Sequence, residues 1–68
     1  NPQSAIEILL PMKEVYPGKR EIRDLLAKSY ASQGQFDKGI IELEEWLRID
    51  PSDKEAKELL QNIKNIKN

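Results

Sequence analysis

The side chains of this sequence that could do chemistry are carboxylates and amines. Glu42, Glu44, Glu45, Asp50 and Asp53 crowd one stretch, and Lys54, Lys57, Lys64 and Lys67 follow it. Two carboxylates converging in a dry cleft could serve as an acid–base pair or hold a magnesium ion. Neighbours such as Glu44 and Glu45 diverge by about 100° on a helix, so these acids read as a solvated face. The lysines gather on one side of their segment, but Glu55 and Glu58 dilute them and no aromatic is interleaved, as a nucleic-acid surface would require. The sequence contains no Cys and no His. That removes thiol nucleophiles, disulfides, thiolate or imidazole metal ligands and the Ser–His–Asp arrangement. With no nucleophile–base pair and no metal set to build, the chain reads as neither an enzyme nor a cofactor carrier.

Single residues that invite a functional reading have plainer ones. Gly34 has no Gly-rich phosphate loop around it and no Walker-type lysine after it, so it reads as a helix terminator. Trp46 is the only tryptophan. It lies on one stripe with Leu43 and Leu47, which favours core over a binding hot spot. Tyr16, beside Pro17, reads as a loop-packing residue.

Eleven Lys and Arg against twelve Asp and Glu give a net charge of −1, so no global field draws the chain to nucleic acid or anionic lipid. Charged residues make up 34% of the 68, enough to read as a soluble, surface-rich chain of one small domain. The longest strongly apolar run is Ile8-Leu9-Leu10, far too short for a membrane span. A start at Asn1 without Met reads as an excised or processed fragment.

Four segments have helical spacing. The first, about 3–15, places Ala5, Ile6, Leu9, Met12 and Tyr16 three or four apart, and Pro2 suits a first turn. Pro11 inside it costs a backbone bond, so a kink at Leu10 is expected. The second, about 19–33, aligns Ile22, Leu25, Leu26, Ser29 and Tyr30. The third, from about Asp37 to Ile49, has a broad apolar face of Ile40, Leu43, Trp46 and Leu47 flanked by Ile41 and Ile49. Asp50-Pro51-Ser52-Asp53 is a turn in which Ser52 or Asp53 can cap the next helix. The fourth, about 53–66, carries Ala56, Leu59, Leu60, Ile63 and Ile66. No window alternates with period two. Short loops between such helices make antiparallel neighbours, hence two helical hairpins in tandem.

The chain also repeats itself at an offset of 34 residues. Ile6 falls on Ile40, Leu9 on Leu43, Pro17 on Pro51, Glu21 on Glu55, Leu25 on Leu59 and Leu26 on Leu60. A helix–turn–helix period of this length is the signature of a repeat array. Arg23-x2-Leu26-Ala27-x2-Tyr30, then Gly39-x3-Leu43 and Pro51, resembles the W-x2-L-G-x2-Y, A-x3-F and P pattern of the tetratricopeptide repeat family. The 32–38 turn Ser-Gln-Gly-Gln-Phe-Asp-Lys resembles that family's intra-repeat turn. Arg23 in place of Trp, and bulky Trp46 where a small residue is commoner, are departures. Tyr30, at the aromatic position of the pattern, reads as core. Ala27 and Gly39 are small enough for two helix backbones to approach, and a large residue at either would overpack.

The resemblance implies an all-α fold, a right-handed α-solenoid of antiparallel helical hairpins with about four helices. It divides the chain into the second helix of a partial repeat (1–19), a complete repeat (20–53) and a capping helix (54–68). Gln61 and Lys64 stand where a small and an aromatic residue would be, which suits a last helix facing water. Its 61–68 end is expected to fray. The family acts as a scaffold that holds peptides or helices of partner proteins in a groove lined by the first helix of each hairpin. Here that side carries Glu21, Asp24, Lys28, Ala31 and Ser32 from the second segment, and Glu55, Glu58, Asn62 and Asn65 from the fourth. Asp24 and Glu58 occupy places where chaperone-tail clamps of the family carry Lys or Asn, so a carboxylate clamp is not expected and a polar or basic peptide is. The partner expected is thus a protein or peptide, with no nucleic acid and no membrane. The alternative is a structural element for self-association, because Ile6, Ile8, Leu9 and Leu10 leave the first segment with apolar surface open to a homodimer. A chain with so few repeats is expected to self-associate or to be weakly stable.

Overall fold

A computed structural model describes residues 1–68 as four helices: α1 (Pro2–Val15), α2 (Arg20–Ser32), α3 (Phe36–Ile49) and α4 (Lys54–Lys67). Each begins and ends for a local chemical reason. Asn1 caps α1, its side-chain oxygen accepting from the Gln3 N–H at 3.0 Å, and Pro2 fills the first turn, where no intrahelical N–H is needed. α1 continues unbroken through Pro11. The carbonyl deprived of a donor is that of Glu7, and both residues are exposed, so water can replace the missing bond.

α2 ends in a Schellman motif. The Gln35 N–H reaches the Tyr30 carbonyl at 2.9 Å and the Gly34 N–H reaches that of Ala31 at 3.0 Å. The motif requires Gly34 at a φ of 75°, a conformation that glycine adopts without a Cβ penalty. Between α3 and α4, Asp50 accepts from the Ser52 N–H and hydroxyl, at 3.2 and 2.8 Å, closing the turn at Pro51. Of the two residues able to cap α4, Asp53 does so, taking the Ala56 N–H at 3.1 Å.

Each helix packs on the next, and α2 also touches α4; α1 and α4 do not meet. The result is a slab of 30 × 27 × 14 Å, an open succession of hairpins and not a closed bundle. One core cluster, Ile6, Leu9, Ile22, Leu26 and Tyr30, joins α1 to α2. A second, Ala27, Leu43, Trp46, Ala56 and Ile63, joins α2, α3 and α4. The close approach of α2 and α3 is at the small pair: a Cβ built on Gly39 would lie 3.0 Å from the Ala27 carbonyl oxygen.

Several apolar residues placed by spacing on core stripes lie outside the core. Met12, Tyr16, Leu25, Ile41, Ile49 and Ile66 are exposed, because a stripe is buried only where another helix lies over it. A larger correction concerns the acids. Glu42, read as part of a solvated face, is buried, and so is Arg23. The Lys13 ammonium bonds both Glu42 oxygens at 3.2 and 3.0 Å, while Arg23 bonds Glu42 at 3.1 Å and Glu45 at 2.7 Å. α1, α2 and α3 are thus tied by a charge cluster standing where the family pattern has a tryptophan. Desolvating these groups is tolerable because each meets an opposite charge, although the Arg23 Nε has no partner. Asp53 also departs from the solvated reading: it accepts from the Trp46 indole N–H at 2.8 Å, pinning α3 to the start of α4.

Candidate partner-binding surface

The surface singled out from sequence lies on α2 and α4, the two helices that touch without being consecutive. On α2 the row runs through Glu21, Asp24, Lys28 and Ser32 at helical steps of three and four, so one side of the helix presents all four. Glu21, Lys28 and Ser32 are exposed and Asp24 is half-buried. The corresponding row on α4, with Glu55, Glu58, Asn62 and Asn65, is exposed throughout, and Lys54 stands at its head.

Much of the charge on this face is already matched. Arg20 joins the N-terminal ends of the two helices, bonding Glu55 at 2.7 Å and lying 3.4 Å from Asp53. The hydrogen bond to Glu55, followed by that residue's charge, raises the Arg20 pKa above its ordinary value, so Arg20 stays cationic. Asp24 and Lys28 pair at 2.9 Å one turn apart, and the Ser32 hydroxyl donates to the Lys28 carbonyl at 3.0 Å. Asn65 accepts from Gln61 at 3.1 Å. Glu21 and Glu58 have no cationic partner within ion-pair distance.

Two residues of this face behave differently from the sequence reading. Ala31 is half-buried against the second core cluster, so only part of it faces outward. Leu25, placed by spacing on the core stripe, is 49% exposed. It follows Glu21 by four positions and precedes Lys28 by three, which puts an apolar side chain within the row. Its helical position already allowed either face, and only the helices actually present decide between them.

The Arg23–Glu42–Lys13 cluster was not legible as a unit either. Its one signal was an arginine at the tryptophan position of the repeat, facing a helix with an acid three residues after Gly39. Of the α4 lysines, Lys67 pairs with Asp37 and Lys64 is half-buried. No three acidic side chains come together as a metal ion would require, and no helix is long and apolar enough to cross a membrane.

The four antiparallel helices, the small-residue contact and the period of 34 define a helical-hairpin repeat protein. A family model for the tetratricopeptide repeat matches residues 20–63, more than half of the chain, and the chain belongs to that family. It is a family of protein-interaction repeats, generally without enzymatic activity. Searches of curated proteins and of solved structures return no match.

Proposed function

We propose that the face shared by α2 and α4 holds a peptide or helix of a partner protein, and that the ligand is polar or basic. The observation that carries this reading is a face with two unpaired carboxylates, Glu21 on α2 and Glu58 on α4, and with Leu25 exposed between Glu21 and Lys28. An extended or helical ligand with one apolar side chain flanked by Lys or Arg would meet both features. Glu21, Asp24, Lys28, Ser32, Glu58 and Asn62 form the contact surface in this proposal, with Ala31 at its floor. Residues 20–53 act as the complete repeat, 1–19 as the second helix of a partial one and 54–68 as the capping helix, whose Gln61 and Lys64 tolerate water.

A peptide array probed with the chain tests the reading. Peptides rich in Lys and Arg should be retained over acidic ones, and reversing Glu21 and Glu58 to Lys should weaken retention by about tenfold, from about 0.3–1 kcal/mol for each exposed pair. A preference for acidic ligands would contradict it. Self-association through α1 is the second reading, favoured by the uncovered Ile8, Met12 and Val15. A sedimentation mass near twice 7.9 kDa would support it.

A further inference from the structure

The internal repeat leaves α1 and α3 alike in what they offer α2 and α4. An offset of 34 carries Ile6 and Leu9 onto Ile40 and Leu43, and Leu26 onto Leu60. An apolar stripe accepts another of similar volume at little cost. Packing alone therefore leaves copies of the chain open to an exchange of helices, with α3 of one in the place of α1 of another, or the reverse.

The charged cluster is where the repeat breaks. The same offset carries Lys13 onto Leu47, and Ile8 and Pro11 onto Glu42 and Glu45. Arg23 falls on Lys57, but Lys57 is exposed and Arg23 is buried. Three helices meet at this point. α1 and α3 do not pack on one another, yet the Lys13 ammonium reaches Glu42, with the two side chains only 18% and 8% exposed.

Each exchange of helices would damage the cluster. With α3 in the place of α1, Leu47 would replace Lys13, and the buried Glu42 would keep one of its two cations. With α1 in the place of α3, Ile8 and Pro11 would replace Glu42 and Glu45, and Arg23 would be buried with no carboxylate at all. A buried charge tolerates only an opposite charge beside it, so both exchanges are penalised where the apolar core is indifferent.

We propose that the Lys13–Arg23–Glu42–Glu45 cluster selects which helix takes each place, so that repeats with nearly the same apolar pattern assemble in one order. The cluster then contributes uniqueness more than stability. This inference does not depend on the ligand proposed for the α2–α4 face.

Two variants test it by backbone amide NMR after refolding from urea at high protein concentration. The unaltered chain should give one resonance per amide, and a symmetric dimer would not change that number. The first variant, Lys13→Met with Arg23→Met and Glu42→Leu, removes the cluster. It should fold, as circular dichroism checks, and should show further sets of resonances carrying about a tenth of the signal or more. The second, Ile8→Glu with Pro11→Glu, leaves every member of the cluster in place. Both positions are exposed, so the native packing is untouched, but α1 now carries acids where α3 does. It too should show further sets, because the distinction between the helices is gone. A cluster that only stabilised the fold would leave this variant with one set. One set in the second variant would overturn the inference whether or not the first variant folds. So would one set in a folded first variant, or several sets in the unaltered chain.

Discussion

Arg23, Glu42 and Lys13 show how far one substitution in a repeat pattern propagates. With an arginine where the pattern has a tryptophan, the helix opposite must answer with a carboxylate, and Glu42 does so while also receiving Lys13 from α1. Glu42→Ala strands Lys13 and leaves the buried Arg23 with Glu45 alone, and should destabilise the fold by about 3 kcal/mol, read from urea unfolding. Replacing Lys13, Arg23 and Glu42 together by Met, Met and Leu should recover most of that loss, since apolar neighbours need no counter-charge. A triple variant no more stable than Glu42→Ala would contradict this account of the cluster. Gly39 makes a second prediction at the same scale. A side chain there meets backbone, the Ala27 carbonyl, and backbone cannot swing aside. Gly39→Val should cost about 1–3 kcal/mol, lowering the melting temperature by several degrees or more. An unchanged melting temperature would mean that α2 and α3 pack less closely than described.

At the scale of the element, the junction of α3 and α4 depends on Asp53, which caps one helix and receives the Trp46 indole N–H from the other. That indole hydrogen bond, with the Ala56 N–H and the charge of Arg20 adding to it, holds the Asp53 carboxyl below the usual carboxylate range. A carboxylate whose folded pKa is depressed contributes stability above its unfolded value and loses it as pH falls through the folded one. The chain should therefore lose stability below about pH 4. In Asp53→Asn that acid-side loss should shrink, because an asparagine caps well but does not titrate. Equal urea midpoints for the two chains across that acid range, after correction for their difference at pH 7, would argue against the junction.

The four helices, their order and most of their ends were legible in the sequence because spacing, caps and turn residues are local signals. The second helix ended where Gly34 announced it, and the small pair Ala27 and Gly39 did mark the close approach. The Arg23–Glu42 bond was not legible, since 19 positions separate its partners and neither disturbs the local spacing. Nor could the stripes that hold Met12 on α1 and Leu25 on α2 say which of their members a neighbouring helix would cover. For the candidate surface, helical spacing sufficed to gather Glu21, Asp24 and Lys28 on one side of α2, but the Asp24–Lys28 and Arg20–Glu55 pairings that leave Glu21 and Glu58 unmatched needed coordinates.

At the scale of the whole molecule, the two outermost helices differ in the face they leave uncovered. The outer face of α4 is largely polar, and α1 leaves Ile8, Met12 and Val15 uncovered. A slab 14 Å thick with an uncovered apolar face should be only marginally stable alone, with a low urea midpoint. Ligand that binds the folded chain should raise that midpoint in proportion to the logarithm of its concentration. A midpoint unaffected by Lys- and Arg-rich peptides would argue against the α2–α4 surface.

The claim that matters most is that the α2–α4 face is where a partner peptide is held. Its most direct test is a backbone amide NMR titration of the chain with a Lys- and Arg-rich peptide containing one central leucine. The shifts should concentrate at Glu21, Asp24, Leu25, Lys28, Glu58 and Asn62 and should weaken with added salt. Shifts gathered on α1 or α3 instead, or no saturable shifts at all, would contradict it.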